Sequence, residues 1–333
     1  MKSFWNKLKK PFFVMAPMAD VTDVAFRALV AKRGAPDVFW TEFVSADGLY
    51  HTREVSAKSD GANGMIYHTS DTNPLMRDLQ FTEEQRPIVA QIFSSKPEMI
   101  TYATKLVAEL GFDGVDLNMG CPDRAIERQG CGSAMMKTPE VARAVIRAAK
   151  EASALPVSVK TRVGYNKESL DEWLPLLLEE APAAITLHLR TRKEMSLVPA
   201  DWELMKEAVE IRNKINPNVL LIGNGDVTDL EQGKQLAVES GCEGIMIGRG
   251  MFGNPWVFAG RKNEDTPLAE KLAALIELAH NFEKISPPKS FAILKKHIKA
   301  FVTGFAGAAA LRAELMQAES AADLERILHE NQV

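Results

Sequence analysis

Val219–Gly250 reads VLLIGNGDVTDLEQGKQLAVESGCEGIMIGRG, and this stretch sets the fold. Two short apolar runs, Val219–Asn224 and Glu243–Gly248, flank an amphipathic segment, Thr228–Glu239. Strand, helix, strand with a crossover of this length makes the two strands parallel. Both runs are apolar nearly throughout rather than alternating, as in strands covered on both faces. Each ends in a glycine-rich turn, Gly223-Asn224-Gly225-Asp226 and Gly248-Arg249-Gly250.

The same unit repeats toward the N-terminus. Further strands are predicted at Phe12–Met18, Asp37–Phe43, Pro87–Phe93, Gly114–Asn118, Pro156–Thr161 and Ala184–His188, with helices at Pro97–Leu110, Pro139–Ala152, Ser169–Glu180 and Asp201–Ile211. About eight alternations of this kind predict an α/β fold, a (β/α)8 TIM barrel. A doubly wound open sheet is the alternative, weakened because no glycine-rich dinucleotide turn follows the first strand. Ser45–Arg86, with Asp47, Gly48, His51, Asp60, Gly61, Gly64 and Asp71, fits no simple unit and is expected to be an irregular excursion at the barrel mouth. From about Glu264 the pattern is helical only, and Thr266-Pro267 reads as a cap with proline at the first helical position. The expected division is a barrel over residues 1–263 and a small helical domain over 264–333.

Composition agrees with this size and class. The 333 residues are 46% apolar and 25% charged, enough for a full core. A net charge of −4 excludes nucleic-acid binding by bulk charge, so any such partner must meet a local basic patch. Three cysteines, Cys121, Cys131 and Cys242, suit neither a disulfide framework nor a zinc site, and a metal is not expected. A cytoplasmic location follows as the default. Lys2, Lys7, Lys9 and Lys10 before the apolar run Pro11–Met18 resemble a signal peptide only superficially, because Asp20, Thr22 and Asp23 follow at once. No run approaches the roughly 20 apolar residues of a membrane span.

In such a barrel the chemistry sits at the C-terminal strand ends. Those ends carry Pro17 and Met18, Gln91, Asn118, Lys160 and Arg162, His188 and Arg190, Asn224, Gly225 and Asp226, then Gly248 and Arg249. The last two turns follow strands seven and eight, where barrels commonly hold a phosphate; glycines let backbone N–H groups approach the anion and Arg249 adds charge. Tight turns with a surface arginine are the structural alternative. Cys121 falls on the loop after strand four, where a thiol can deliver a proton to carbon or simply be buried packing. Cys131 lies near it, and position alone leaves either thiol open. Cys242 lies at the opposite end and reads as structural. Lys160 can hold a negative charge or snorkel to solvent; His188 is either a ligand-binding group or a satisfied core histidine.

Six segments resemble one family: Met15-Ala-Pro-Met-Ala-Asp-Val-Thr-Asp23, Asp116-Leu-Asn-Met-Gly-Cys-Pro122, Val159-Lys-Thr-Arg-Val-Gly164, His188-Leu-Arg-Thr191, Ile222-Gly-Asn-Gly-Asp226 and Ile247-Gly-Arg-Gly250. Together they are similar to the tRNA-dihydrouridine synthases, over roughly Pro11–Phe258, with Lys295-Lys-His297 matching the family's basic stretch in the helical part. The resemblance implies reduction of the C5–C6 double bond of particular tRNA uridines, with FMN carrying hydride and NADPH recharging it. It implies that Pro17 and Met18 pack the flavin. Gln91, Lys160 and His188 would bind its polar edge and ribityl chain, and Asn224, Gly225, Asp226, Gly248 and Arg249 its phosphate side. Asn118 and Arg162 would contact uracil, and Cys121 would be the general acid. tRNA would be held by Lys295, Lys296, His297 and Lys299, with Arg190, Arg192 and Lys193 as further contacts. No stable protein partner is implied. Leu189, where the family commonly has glycine, and Glu194–Val198 depart from its pattern. The rivals are an FMN barrel acting on a free pyrimidine such as dihydroorotate, a non-catalytic RNA-binding barrel, and a flavin-free barrel holding a sugar phosphate.

Overall fold

A computed structural model describes residues 3–55, 67–69 and 73–331. Eight parallel strands form one sheet: β1 (Phe12–Met15), β2 (Phe39–Ser45), β3 (Ile88–Phe93), β4 (Gly114–Met119), β5 (Val157–Arg162), β6 (Ala184–His188), β7 (Leu220–Asn224) and β8 (Gly244–Ile247). Their spatial order is β1-β8-β7-β6-β5-β4-β3-β2. The sheet closes where Val14 pairs in parallel with Val38, just before β2; Met15 N–H donates to Val38 O at 3.1 Å and Asp37 N–H to Phe13 O at 2.8 Å. The eight predicted strands are therefore all present. Each is buried along most of its length, which is why the sequence shows runs rather than alternation.

Helices α1 (Val24–Gly34), α2 (Pro97–Glu109), α3 (Pro139–Ala152), α4 (Leu170–Glu179), α5 (Glu203–Ile215) and α6 (Leu230–Ser240) cover the sheet. In α3 the proline sits at the first turn and Ala142, Val145, Ile146 and Ala149 form the buried stripe, the i, i+3, i+4, i+7 spacing of an amphipathic helix. Asp23 caps α1 by accepting from Phe26 N–H at 2.9 Å, and one turn on Arg27 is fully buried. Arg27 Nε donates to Gln85 Oε1 at 3.0 Å, and its other nitrogens donate to the Thr22 and Gln80 carbonyls. One arginine thus ties the loop after β1 to the excursion.

That excursion is more ordered than expected where it is described. Ser45 caps a short helix, Ala46–His51, by accepting from Gly48 N–H at 3.1 Å. Arg53–Val55 pairs antiparallel with Tyr67–Thr69. Asp60, Gly61, Gly64 and Asp71 lie outside the described residues.

Beyond the barrel come α7 (Leu268–Glu283), α8 (Lys295–Phe301), α9 (Ala308–Leu315) and α10 (Ala321–Glu330). The start of α7 differs by one position from the sequence reading: Pro267 is the cap, and the Thr266 hydroxyl donates back to Lys262 O at 3.3 Å. These helices share one continuous apolar core with the barrel. At the seam, Lys289 Nζ meets Asp78 at 2.8 Å and also Glu42, both partners buried or nearly so. Arg33 meets Glu277 at 2.7 Å, and Arg77 donates to Pro288 O at 2.9 Å. No described helix is long and apolar enough to cross a membrane.

Candidate active site

The strand ends enclose a cavity of about 320 Å3, within the usual range for small-molecule sites. Pro17, Met18, Lys160, Arg162, His188, Asn224, Gly225, Asp226, Gly248 and Arg249 all lie on its wall. So the structure brings together residues from β1, β5, β6, β7 and β8 that the sequence had placed at separate strand ends.

The cavity is cationic and its cations are not all matched. Lys160 neither donates a hydrogen bond nor forms an ion pair among the described residues. Burial, with Arg162 beside it, pushes its ammonium down to about 8. Arg162 is 9% exposed and is held down to about 10 by burial; its Nε donates to Gly120 O at 2.9 Å and its Nη1 to Met195 O at 3.0 Å. His188 is held well below the ordinary histidine value by burial and then by Lys160. Its Nε2 lies 3.2 Å from Arg190 Nη1, and a guanidinium can only donate. Nε2 is therefore the acceptor and Nδ1 carries the proton. That Nδ1 is buried without a partner among the described residues. An orphan N–H, an unpaired ammonium and a buried guanidinium on one wall fit an electron-rich, anionic ligand.

The turns after β7 and β8 complete the wall. Gly225 has φ of +138°, and a Cβ there would lie 2.6 Å from the Ala200 Cβ, so glycine is required. The Trp202 indole N–H clamps the turn by donating to Gly225 O at 3.0 Å. The backbone N–H groups of Gly225 and Gly248 donate to no acceptor among the described residues. Donors of this kind with Arg249 alongside suit a terminal phosphate. Among the described residues Asp226 is the one carboxylate on the wall; it pairs with Arg190 and, at 2.6 Å, with Arg249, which holds it below the usual carboxylate range. It aims the arginines rather than meeting an anion itself.

A polar chain crosses the barrel beneath the cavity. The Ser158 hydroxyl and Gln91 Nε2 each donate to Asp116, at 2.6 Å. Asn118 Nδ2 donates to Gln91 Oε1 at 3.1 Å, and Asn118 Oδ1 accepts from Gly120 N–H at 3.2 Å and Cys121 N–H at 3.0 Å. Burial raises the Asp116 carboxyl to about 6, against the pull of Ser158 and Gln91. Gln91 and Asn118 are thus not on the cavity wall; they are buried and brace the loop that carries Cys121.

Cys121 is half-buried, next to Pro122 on the wall. Its carbonyl accepts from Ser133 N–H and Oγ, both at 2.9 Å. Burial pushes its thiol up, with only partial opposition from Lys160 and Arg162, so it keeps its proton at neutral pH. Cys131 is buried with Phe93 and Ile126, and its thiol faces Gln129 O at 3.5 Å. Cys242 is buried with its thiol against Gly244 O at 3.3 Å.

Two expected RNA contacts are corrected. His297 is 1% exposed, packed between Phe26 and Phe252, and burial pushes it down to about 4. It belongs to the seam. Arg190 is 3% exposed, with its guanidinium directed to Val198 O, His188 and Asp226. Lys296 and Lys299 remain exposed, and Lys296 meets Asp20 at 3.1 Å on the loop just after β1. Lys193 is exposed, whereas Arg192 pairs with Glu127. Asp116, Glu42 and Lys289 were not singled out from sequence; an acidic residue inside the apolar run Gly114–Asn118 was the available signal for the first.

Parallel closure, a phosphate-type pair of turns and a cationic cavity define an α/β-barrel of the kind that binds phosphorylated cofactors at its mouth. The solved structures agree on the fold. Histamine dehydrogenase from Rhizobium sp. 4-9 superposes with a TM-score of 0.54 at 13% identity, over 96% of this chain and 61% of that one. A 2-naphthoyl-CoA reductase gives 0.54 at 8% identity, over 74% of this chain and 49% of that one. Sequence relatives are much nearer. A probable tRNA-dihydrouridine synthase of Staphylococcus aureus (strain COL) is 39% identical over 332 residues, 99% of this chain and 95% of its own length. Probable tRNA-dihydrouridine synthase 2 of Bacillus subtilis (strain 168) is 40% identical over 330 residues, 98% of this chain and 96% of its own length. The family model described as dihydrouridine synthase (Dus) matches residues 14–332, and the chain belongs to that family.

Proposed function

We infer that the chain is an FMN-dependent tRNA-dihydrouridine synthase that reduces the C5–C6 bond of uridine, with NADPH as the electron donor and the cytoplasm as its place of work. The observation that carries this is a pair of donors on one wall with no partner among the described residues, the Lys160 ammonium and the His188 Nδ1–H, with the buried Arg162 guanidinium and a protonated Cys121 beside them.

Bound FMN supplies hydride chemistry. The chain's residues do the rest. Gly225, Gly248 and Arg249 hold the phosphate. Pro17 and Met18 pack the flavin, and Lys160 and His188 meet its polar edge. Arg162 contacts the uracil. Negative charge developing at the uracil O4 side needs a proton at C5, and the Cys121 thiol delivers it. Its raised pKa keeps that proton available, and the Asn118–Gln91–Asp116 chain fixes the loop that aims it. Asp20-paired Lys296, with Lys295, Lys299 and Lys193, meets RNA phosphates, and the helical segment 264–333 is the RNA-binding domain. The target uridine must leave its stack to enter the cavity, at a cost of roughly a few kcal/mol.

Incubating the purified protein with NADPH and unmodified tRNA, and measuring dihydrouridine by mass spectrometry, tests the reading. Cys121→Ala should keep the yellow flavin and lose product formation by about 100-fold or more. Turnover of a free pyrimidine without turnover of tRNA would overturn it in favour of the free-base rival. Full activity in Cys121→Ala would remove the thiol from its role.

A further inference from the structure

The loop after β6 holds apolar side chains out into solvent beside the cavity. Among the described residues six large apolar side chains are exposed, and three of them, Met195, Leu197 and Val198, fall within four positions. Leu197 is 84% exposed. Scattered exposed apolar residues need no explanation, but a cluster at the rim of a site does.

The loop is also stiff. Arg162 Nη1 donates to both Thr191 O at 3.1 Å and Met195 O at 3.0 Å. Arg190 Nε donates to Val198 O at 2.6 Å. The Glu194 carboxylate accepts from Thr191 N–H at 2.7 Å and its hydroxyl at 2.9 Å, and Leu197 N–H donates to Glu194 O at 2.9 Å. Met195 has φ of +56°, a left-handed conformation that a residue with a β-carbon resists and that its neighbours enforce. Two buried arginines of the site thus fix the backbone from which the apolar side chains project. Met195 and Ser196 are themselves cavity wall, so the strip is continuous with the site. Exposed Lys193 lies just before it.

We propose that Met195–Val198 is a wedge for the RNA substrate: Met195 borders the extruded base, and Leu197 fills the stacking space that base leaves behind. The proposal rests on the tRNA reading above. A base that leaves its stack exposes apolar neighbouring faces, and an apolar side chain presented without further ordering cost is what stabilises them. A rigid strip serves better than a mobile one because the ordering is already done. The fixed link through Arg162 also sets the wedge at a constant distance from the residue that contacts uracil.

The test compares wild type, Leu197→Ser and Leu197→Met on folded tRNA and on a short unpaired uridine oligonucleotide, with NADPH-driven flavin reduction measured separately. The side chain is exposed, so folding is not at stake. Leu197→Ser should lose about tenfold or more in kcat/KM on tRNA. It should keep wild-type flavin reduction and lose less than twofold on the oligonucleotide; Leu197→Met should recover most of the loss. Unchanged kcat/KM on tRNA in Leu197→Ser overturns the wedge and leaves the strip to another partner, such as a protein. Equal loss on both RNAs also overturns it, because the residue would then serve the cavity and not the stack. Wild-type protein that binds flavin but reduces neither RNA sinks the functional reading itself, and the wedge with it.

Discussion

Lys160 and Lys289 are both lysines withdrawn from bulk water, and their surroundings are opposite. Lys289 has two carboxylates, Glu42 and Asp78, against its ammonium, so its charged form is favoured. Among the described residues Lys160 has no partner within bonding distance, and its charged form is disfavoured by burial and by Arg162. The histidines do not divide by satisfied donors, since both ring nitrogens of His297 and the Nδ1 of His188 lack partners among the described residues; they divide by place, His297 packed between Phe26 and Phe252 at the seam and His188 on the cavity wall with a fixed tautomer. The seam satisfies its charges internally and is structure. The mouth pairs its arginines but leaves the Lys160 ammonium without a counter-charge among the described residues, a standing cost that an anionic ligand offsets.

The largest effect expected from this contrast is in stability. Lys289→Met strands Glu42 and Asp78 without their counter-charge and should cost about 3–5 kcal/mol in denaturant unfolding. Adding Glu42→Gln to the same chain should recover more than half. The matching change at the mouth, Lys160→Met, should leave the unfolding free energy unchanged or raised, while turnover falls about 100-fold, as when one preorganised charge stabiliser is removed. If Lys160→Met destabilises as much as Lys289→Met, the contrast is broken and Lys160 is structural.

The smallest of the three concerns pH. His297 is held down to about 4 from an ordinary 6.5, so between those values the unfolded chain takes up a proton the folded one refuses. Its contribution is complete above pH 6.5 and is lost as pH falls toward 4, by about 2 kcal/mol near pH 5. Glu42, raised to about 7 mainly by burial, acts in the opposite sense over the overlapping range. The difference curve between wild type and His297→Phe isolates the histidine: the variant should gain on wild type as pH drops from 7 to about 5. A flat difference curve would mean that His297 takes up its proton as readily in the fold as in the unfolded chain.

The sequence made the barrel legible because every strand is buried on both faces, which writes each as a run a few residues long. The cavity was legible for a related reason: a lysine, an arginine or a histidine at the end of such a run stands out. What stayed hidden was direction. Gln91 and Asn118 end strands as polar residues, and nothing local says that they face each other rather than a ligand; that depends on the register of β3 with β4. His297 sits in Lys295-Lys-His-Ile-Lys299, which reads as a solvated face, yet a single step along α8, about 100° of rotation, separates Lys296 in solvent from His297 in the core. Lys289 and Glu42 lie 247 positions apart, and no spacing could have joined them.

The polar chain under the cavity has a one-way sense. A carboxylate without a proton can only accept, so Asp116 forces Gln91 to turn its nitrogen downward and its oxygen up, which in turn dictates the orientation of Asn118 and leaves an oxygen for the Cys121 amide. The amides inherit their orientation from an anion at the bottom. Acidifying through a pKa of about 6 would supply a donor there and free the whole column to invert, and the loop bearing Cys121 would lose its anchor from below.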